Sequence, residues 1–154
     1  MKQGLVSVTF RSLSVKEIIK LARDNGLEYI EWGGPPHVPM GNVKLARRVK
    51  RLMHGAGLKC ASYGSYYGVT YNKGESAPLP FKRVCKTAKA LGASIIRIWA
   101  GWPGCGEIDA KGEMQAVAHT KMIANIAKMK RKARGSSTRA TAAVTATPFP
   151  PLKR

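Results

Sequence analysis

One sequence pattern occurs three times in this chain and limits the folds that it can adopt. Each copy is a glycine, a short apolar run and an aromatic residue followed by small residues, at residues 26–34, 57–65 and 92–101. Each follows a helical pattern and ends in turn-forming residues, which predicts a buried strand whose carboxyl end opens into a loop. The leading glycines are 31 and 35 residues apart, close to the roughly 30 residues of a βαβ unit. The pattern therefore predicts an α/β fold with parallel strands.

A fourth predicted strand, residues 4–10, precedes the first helix, so the chain supplies about four βα units. Most of the helices have sequence signals typical of helix ends. The signals are the Ser14/Glu17 capping box and Gly26 for the first helix, Asn42 for the second, and Pro78, Pro80 and Gly92 for the third. Apolar spacing predicts a fourth helix over residues 113–129.

The length of the chain limits how much of a closed barrel it supplies. A (β/α)8 barrel typically needs about 250 residues, whereas this chain has 154. We predict that residues 1–130 form the N-terminal half of a TIM barrel, with a small open sheet as the alternative. Residues 131–154 are rich in Ala, Thr, Ser, Pro and basic residues without an apolar run, which predicts a disordered basic tail and no fifth strand.

The chain is strongly basic, but its charge is unevenly distributed. A formal net charge of +19 is typical of proteins that bind nucleic acid or anionic surfaces. All eight acidic residues lie at or before Glu113, however, and residues 121–154 contain nine Lys and Arg. The basic residues of the second helix are predicted to form a solvated outer face, with a phosphate-binding surface as the alternative; they are Lys44, Arg47, Arg48, Lys50 and Arg51.

The three cysteines form no CxxC pair and follow no signal peptide. This pattern favours reduced thiols in a cytoplasmic protein. No apolar run approaches the roughly 18 residues of a membrane span. We expect a cytoplasmic location and no membrane partner.

The ligand of a parallel α/β fold lies beyond the carboxyl ends of the strands. The strand-end phrases are Ile-Glu-Trp-Gly-Gly at 30–34, His-Val-Pro at 37–39, Ala-Ser-Tyr-Gly-Ser-Tyr-Tyr at 61–67 and Ile-Arg-Ile-Trp-Ala-Gly at 96–101. These phrases resemble the sugar phosphate isomerase/epimerase family, the xylose isomerase-like barrels that include the apurinic endonuclease relatives. The resemblance covers roughly residues 3–129.

The resemblance implies a TIM barrel that isomerises or epimerises a sugar or polyol beside a divalent metal, Mn, Mg or Zn. In such enzymes carboxylates and a histidine from the later strands hold the metal, and a carboxylate moves a proton. The first metal ligand is a glutamate at the end of the fifth strand, usually in a Leu-Glu-Tyr phrase. This sequence has no such glutamate where a fifth strand is due. We therefore expect a truncated chain with no catalytic residue, no bound metal and no turnover of its own.

What remains resembles the substrate-side wall of such a site. Trp32, Tyr63 and Trp99 are expected either to stack on the apolar face of a sugar or to serve packing. His37 is expected either to hydrogen-bond a hydroxyl or carbonyl group or to be a surface histidine. The complete predicted substrate-binding set is Arg11, Glu31, Trp32, His37, Tyr63, Ser65, Tyr66, Arg97 and Trp99.

Glu31 and Arg97 lie inside apolar strands, where an unpaired charge costs several kcal/mol. We expect both to point into the barrel lumen and to find partners there. Since neighbouring residues of a strand alternate, Glu31, Arg97 and Ser62 are predicted to face away from the helices. Buried against the helices we expect the intervening isoleucines, Ile30, Ile96 and Ile98.

Two other functions compete with the sugar-binding hypothesis. One is a basic nucleic-acid-binding protein related to apurinic endonuclease-like barrels, although the strand ends lack interleaved Lys and aromatic residues. DNA binding that survives removal of residues 131–154 would favour it. The other is an open half-barrel whose unpaired strand edges allow self-association. We expect a sugar or polyol, rather than nucleic acid, as the partner.

The composition changes abruptly near residue 131, where acids vanish and periodicity stops. A native basic tail and a change of reading frame both explain this change. Residues 136–141 can be encoded by codons that, one base earlier, spell Leu-Glu-Tyr-x-x-Asn, the phrase of the first metal ligand. A neighbouring frame open for roughly another hundred codons, enough to complete a barrel, would support the frameshift.

Overall fold

The computed structural model describes residues 3–70, 80–100, 107–132 and 142–145. Within these ranges, five parallel strands pair in sequence order, and a helix follows each of the first four. The strands β1 to β5 are Gly4–Val6, Tyr29–Gly33, Lys59–Gly68, Ile96–Trp99 and Ala142–Thr145. The helices α1 to α4 are Val15–Asp24, Val43–Gly55, Phe81–Leu91 and Ala110–Lys132. The predicted succession of parallel βα units is confirmed.

The predicted capping residues lie at the helix ends. Glu17 N donates to Ser14 Oγ at 3.4 Å, and Ser14 N donates to Glu17 Oε2 at 2.7 Å. Asn42 Oδ1 accepts from Leu45 N at 3.0 Å. Gly92 ends α3 with a φ of 88°, in the left-handed region that favours glycine. Within the described ranges, none of the helices is long and apolar enough to cross a membrane.

The hydrophobic core lies between the sheet and the helices. Ile30 and Trp32 of β2 and Ile98 of β4 are fully buried together with apolar residues of the helices, such as Ile18 and Val49. The predicted burial of Ile30 and Ile98 is confirmed, whereas Ile96 is only partly buried. The opposite face of the sheet carries the side chains of intervening residues because strand neighbours alternate; we call it the lumen face.

The first strand is shorter than predicted. It ends at Val6, and Ser7–Phe10 forms a 3₁₀ helix. This turn places the buried Ser7 hydroxyl at 2.9 Å from the Gly33 amide, which donates to it. The side chain of Val8 packs so close to Gly33 that a Cβ there would lie 2.2 Å from Val8 Cγ1. The chain therefore leaves the sheet in order to cover the end of β2.

The prediction that no strand follows the fourth helix is wrong. Helix α4 continues to Lys132, and Ala142–Thr145 pairs in parallel with β4, with Ala143 opposite Arg97. Without it, the backbone N–H and C=O groups of β4 would form a free edge. A four-residue segment is too short to show periodicity. The prediction for this segment therefore rested on composition alone, which indicated a disordered tail. The other residues of the predicted tail, including 136–141, lie outside the described residues.

Candidate functional site

An ion pair crosses the lumen face from β2 to β4. Arg97 donates to Glu31 Oε1 from Nη2 at 2.7 Å and from Nε at 3.1 Å. Ser62 Oγ on the intervening strand donates to Glu31 Oε2. The side chains of Glu31 and Arg97 are 19% and 20% exposed, so the pair is largely desolvated but can still be reached from solvent. The two charges find partners, as the cost of burying them unpaired predicts.

Gly64 makes room for this ion pair. It lies on β3 opposite Arg97 of β4. A Cβ at this position would lie 2.7 Å from Arg97 Nη2 and 3.3 Å from Glu31 Oε1. A larger residue would therefore displace the guanidinium group. Neither Gly64 nor Ser62 belongs to the predicted site; the strand register, which pairs Glu31 with Ser62, is the signal that identifies them.

Two aromatic side chains adjoin the ion pair at the ends of β3 and β4. Arg97 Cζ lies 5.0 Å from the Trp99 ring centroid, within the range of a cation–π contact. The ring centroids of Tyr66 and Trp99 are 5.9 Å apart, and Arg11 Nη2 donates to Tyr66 Oη at 3.0 Å. Tyr66 has a φ of 59°, which is rare for a bulky residue. Arg11, Tyr66, Trp99, Arg97 and Glu31 thus form one continuous series of contacts.

Trp32 and Tyr63 lie in the core instead. Both are 0% exposed. Trp32 Nε1 donates to Met53 Sδ at 2.9 Å, and Tyr63 Oη donates to Val38 O at 2.8 Å. Burial raises the pKa of the Tyr63 hydroxyl. Burial contradicts the predicted sugar stacking of both residues and agrees with the alternative, packing. Strand alternation turns Trp32 away from the face that Glu31 occupies.

His37 and Ser65 are also buried. His37 is 5% exposed, and its Nε2 lies 3.0 Å from Leu13 O. Its buried Nδ1 has no hydrogen-bond partner among the described residues. The loop after β2 folds back on the core, so the alternative of a surface histidine is wrong. The predicted contact with a ligand hydroxyl or carbonyl group stays a prediction. Ser65 is fully buried, and its Oγ donates to Arg97 O at 2.8 Å. This hydrogen bond links β3 to β4.

A second polar arrangement lies between the end of β3 and α4. His119 places Nδ1 2.5 Å from Val69 O and Nε2 3.0 Å from Tyr67 Oη. Because a carbonyl can only accept, Nδ1 donates to Val69 O. In the neutral imidazole, Nε2 is then the acceptor of a hydrogen bond from the Tyr67 hydroxyl. His119 borders a cavity of about 790 Å³. No local sequence pattern indicates this contact, because it joins α4 to Val69, which lies 50 residues earlier in the chain just after β3.

Cys60 lies beside the ion pair. Its Sγ donates to Ser62 O at 3.5 Å. Burial, reinforced by the nearby Glu31 charge, raises the pKa of the Cys60 thiol to about 12. The thiol is therefore protonated at neutral pH and is a poor nucleophile.

The described residues do not fit the metal that the family resemblance implies. Within residues 3–70, 80–100, 107–132 and 142–145, no group of three or more His, Cys, Asp and Glu side chains is arranged to hold a metal ion. The Glu31 carboxylate accepts hydrogen bonds from Arg97 and Ser62 instead. The described part of the lumen face therefore offers hydrogen-bond donors and aromatic surface rather than a set of metal ligands.

Solved structures share this fold. A probable 3-DHS dehydratase, AsbF of Bacillus anthracis, is 20% identical, with a TM-score of 0.62 over 85% of this chain and 50% of that protein. The chain has the fold of about half of a TIM barrel. A xylose isomerase domain protein of Alicyclobacillus acidocaldarius subsp. acidocaldarius is 19% identical, with a TM-score of 0.59 over 82% of this chain and 46% of that protein.

A third structure is similar over more of this chain. It is a xylose isomerase domain protein of Planctomyces limnophilus, 14% identical, with a TM-score of 0.58 over 92% of this chain and 52% of that protein. This chain thus spans about half the length of these barrels. The sequence matches no protein-family model and no curated protein.

Proposed function

We propose that the lumen face binds a sugar or another polyol and forms the substrate-side wall of an isomerase or epimerase site. The observation that carries the proposal is the ion-paired Arg97 beside two aromatic rings at the carboxyl ends of the strands. In parallel barrels this edge is where ligands bind.

Arg97 supplies the hydrogen-bond donors of this wall. A guanidinium group has five N–H donors, of which the bonds to Glu31 use one from Nε and one from Nη2. The remaining donors can bind hydroxyl or carbonyl oxygens of a sugar. Glu31 accepts three hydrogen bonds from Arg97 and Ser62, so its role is to fix the orientation of the guanidinium group.

Trp99 and Tyr66 supply the apolar surface of the wall. Both side chains are half-buried, which leaves part of each available to a ligand. Aromatic side chains with a few well-placed polar groups are the usual lining of small-molecule sites. Arg11, which is hydrogen-bonded to Tyr66, extends the site towards the end of β1.

The proposed reaction class rests on likeness of fold alone. One fold can host many chemistries. The similar structures include a probable 3-DHS dehydratase and two xylose isomerase domain proteins. The described residues of this chain provide groups that bind and orient a polyol. A metal-dependent proton transfer would need ligands from outside the described residues.

Isothermal titration calorimetry with a panel of pentoses, hexoses and their alditols tests the proposal. We expect millimolar binding of at least one compound and a loss of affinity of about tenfold in Arg97→Met, as for a lost charged hydrogen bond. Arg48→Met, an exposed arginine on α2, is the control and should bind like the wild type. Absence of binding across the panel, or equal affinity in Arg97→Met, would overturn the proposal.

A further inference from the structure

The outer surface of the helices contains a groove lined by basic side chains. It lies between α2 and α3 and has a volume of about 840 Å³. Its polar lining is Arg47, Lys50, Arg51 and His54 of α2 with Lys86 and Lys89 of α3. All six of these side chains are exposed.

The spacing of these residues explains why they face a common groove. Positions 47, 50, 51 and 54 are separated by three, four and seven residues from the first, which places them on one side of α2. Lys86 and Lys89 are three residues apart on α3, and the two helices pack side by side. The sequence pattern of α2 alone indicates only a solvated face. The packing of α3 against it brings two rows of cations together.

The described lining of the groove carries no compensating negative charge. None of its lining residues is acidic, and the remaining two are Val43 and Ala90. In the described part of the chain, ion pairs join Lys20 and Arg23 to Asp24 and Arg97 to Glu31, and none involves the groove. Like charges on neighbouring positions repel one another. An anionic ligand bound in the groove would offset this repulsion.

We propose that this groove binds the phosphate backbone of a double-stranded nucleic acid. Two rows of Lys and Arg suit repeated phosphates, whose neutralisation releases counterions and supplies affinity without base contacts. Among the described residues that line the groove there is no Phe, Tyr or Trp ring on which an unpaired base could stack. A duplex, whose bases are already stacked and whose phosphates are exposed, is therefore the better fit. This function is separate from the polyol site on the lumen face.

The test measures binding of the full-length chain to a fluorescein-labelled DNA duplex by fluorescence anisotropy at several salt concentrations. The groove variant combines Arg47→Gln, Arg51→Gln and Lys89→Gln. The control variant combines Lys44→Gln, Arg48→Gln and Lys82→Gln, which removes the same charge from the same two helices outside the groove. All six positions are exposed, and the basic residues after position 121 are the same in both variants.

We expect the groove variant to bind the duplex at least about tenfold more weakly and to reduce the salt slope of log K by about three, one per lost phosphate contact. The control variant should change affinity less than about threefold. Equal losses in both variants, or no loss in the groove variant, would overturn the proposal. Tighter binding to a single strand of the same sequence, or groove-dependent binding to phosphatidylglycerol vesicles without duplex binding, would also contradict it.

Discussion

On β2, Glu31 and Trp32 are adjacent in sequence and face opposite sides of the sheet. Glu31 pairs with Arg97 on the lumen face, whereas Trp32 is fully buried against α2. On β4, Arg97 and Trp99 share the lumen face, and Ile98 between them is fully buried. Strand alternation, rather than residue type or position at a strand end, therefore decides which aromatic residue can meet a ligand.

The largest expected effect concerns the two tryptophans that this comparison separates. Trp32→Ala should lower the free energy of unfolding by about 3–5 kcal/mol because it leaves a cavity in the core. Trp99→Ala removes a half-buried ring at the end of a strand and should cost less than about half as much. Urea denaturation followed by circular dichroism measures both values. Equal destabilisation would remove the distinction between the two faces.

Removal of one partner of the Glu31–Arg97 ion pair should destabilise the fold, because it leaves a largely buried charge on the lumen face. Arg97→Met leaves the largely buried Glu31 carboxylate without its cation and should lower the free energy of unfolding by about 2 kcal/mol, less than for a fully buried pair. The double variant Glu31→Leu/Arg97→Met should recover part of this loss, because no buried charge then remains. A double variant that loses the sum of both single effects would show that the pair is not coupled.

Two glycine substitutions test the close approach over β3. Gly64→Ala should lower the free energy of unfolding by about 1–2 kcal/mol, because its Cβ would lie 2.7 Å from Arg97 Nη2. Gly55→Ala is the control, since no atom lies within 4 Å of a Cβ at that position. It should be neutral or stabilising by up to about 1 kcal/mol. Thermal denaturation measures the stability of both variants. A Gly64→Ala variant as stable as the wild type would contradict the close packing of Gly64 against Arg97.

Local signals in the sequence predicted much of the fold. Strand alternation alone would have been enough to assign the residues of a strand to the two faces of the sheet. The capping residues Ser14 and Asn42 act within a few positions of themselves, so the sequence identifies them. The alternation that predicted Glu31 in the lumen also turns Trp32 towards the helices, but an aromatic residue at a strand end obscured this. The contact of His119 with Tyr67 arises only from packing between distant elements, so no local pattern predicts it.

The smallest expected effect lies at the exposed first turn of α1. Hydrogen bonds from the Ser14 backbone amide and, to a lesser degree, the Ser14 hydroxyl lower the pKa of Glu17. Because the folded pKa is depressed, this stabilisation is present above the ordinary value of 4.5 and is lost as pH falls through the folded value. Glu17→Gln should therefore melt slightly below the wild type at neutral pH. The two melting temperatures should converge in acid, and a gap that widens there would contradict the capping account.

Fluorine NMR of protein labelled with 5-fluorotryptophan tests whether Trp99 meets a ligand and Trp32 does not. Single Trp→Phe variants assign the three tryptophan signals of the chain. Titration with the sugar or alditol that binds best should shift the Trp99 signal and leave the Trp32 signal unchanged. Saturable binding that leaves Trp99 unshifted, or shifts Trp32 equally, would contradict the assignment of the ligand to the lumen face.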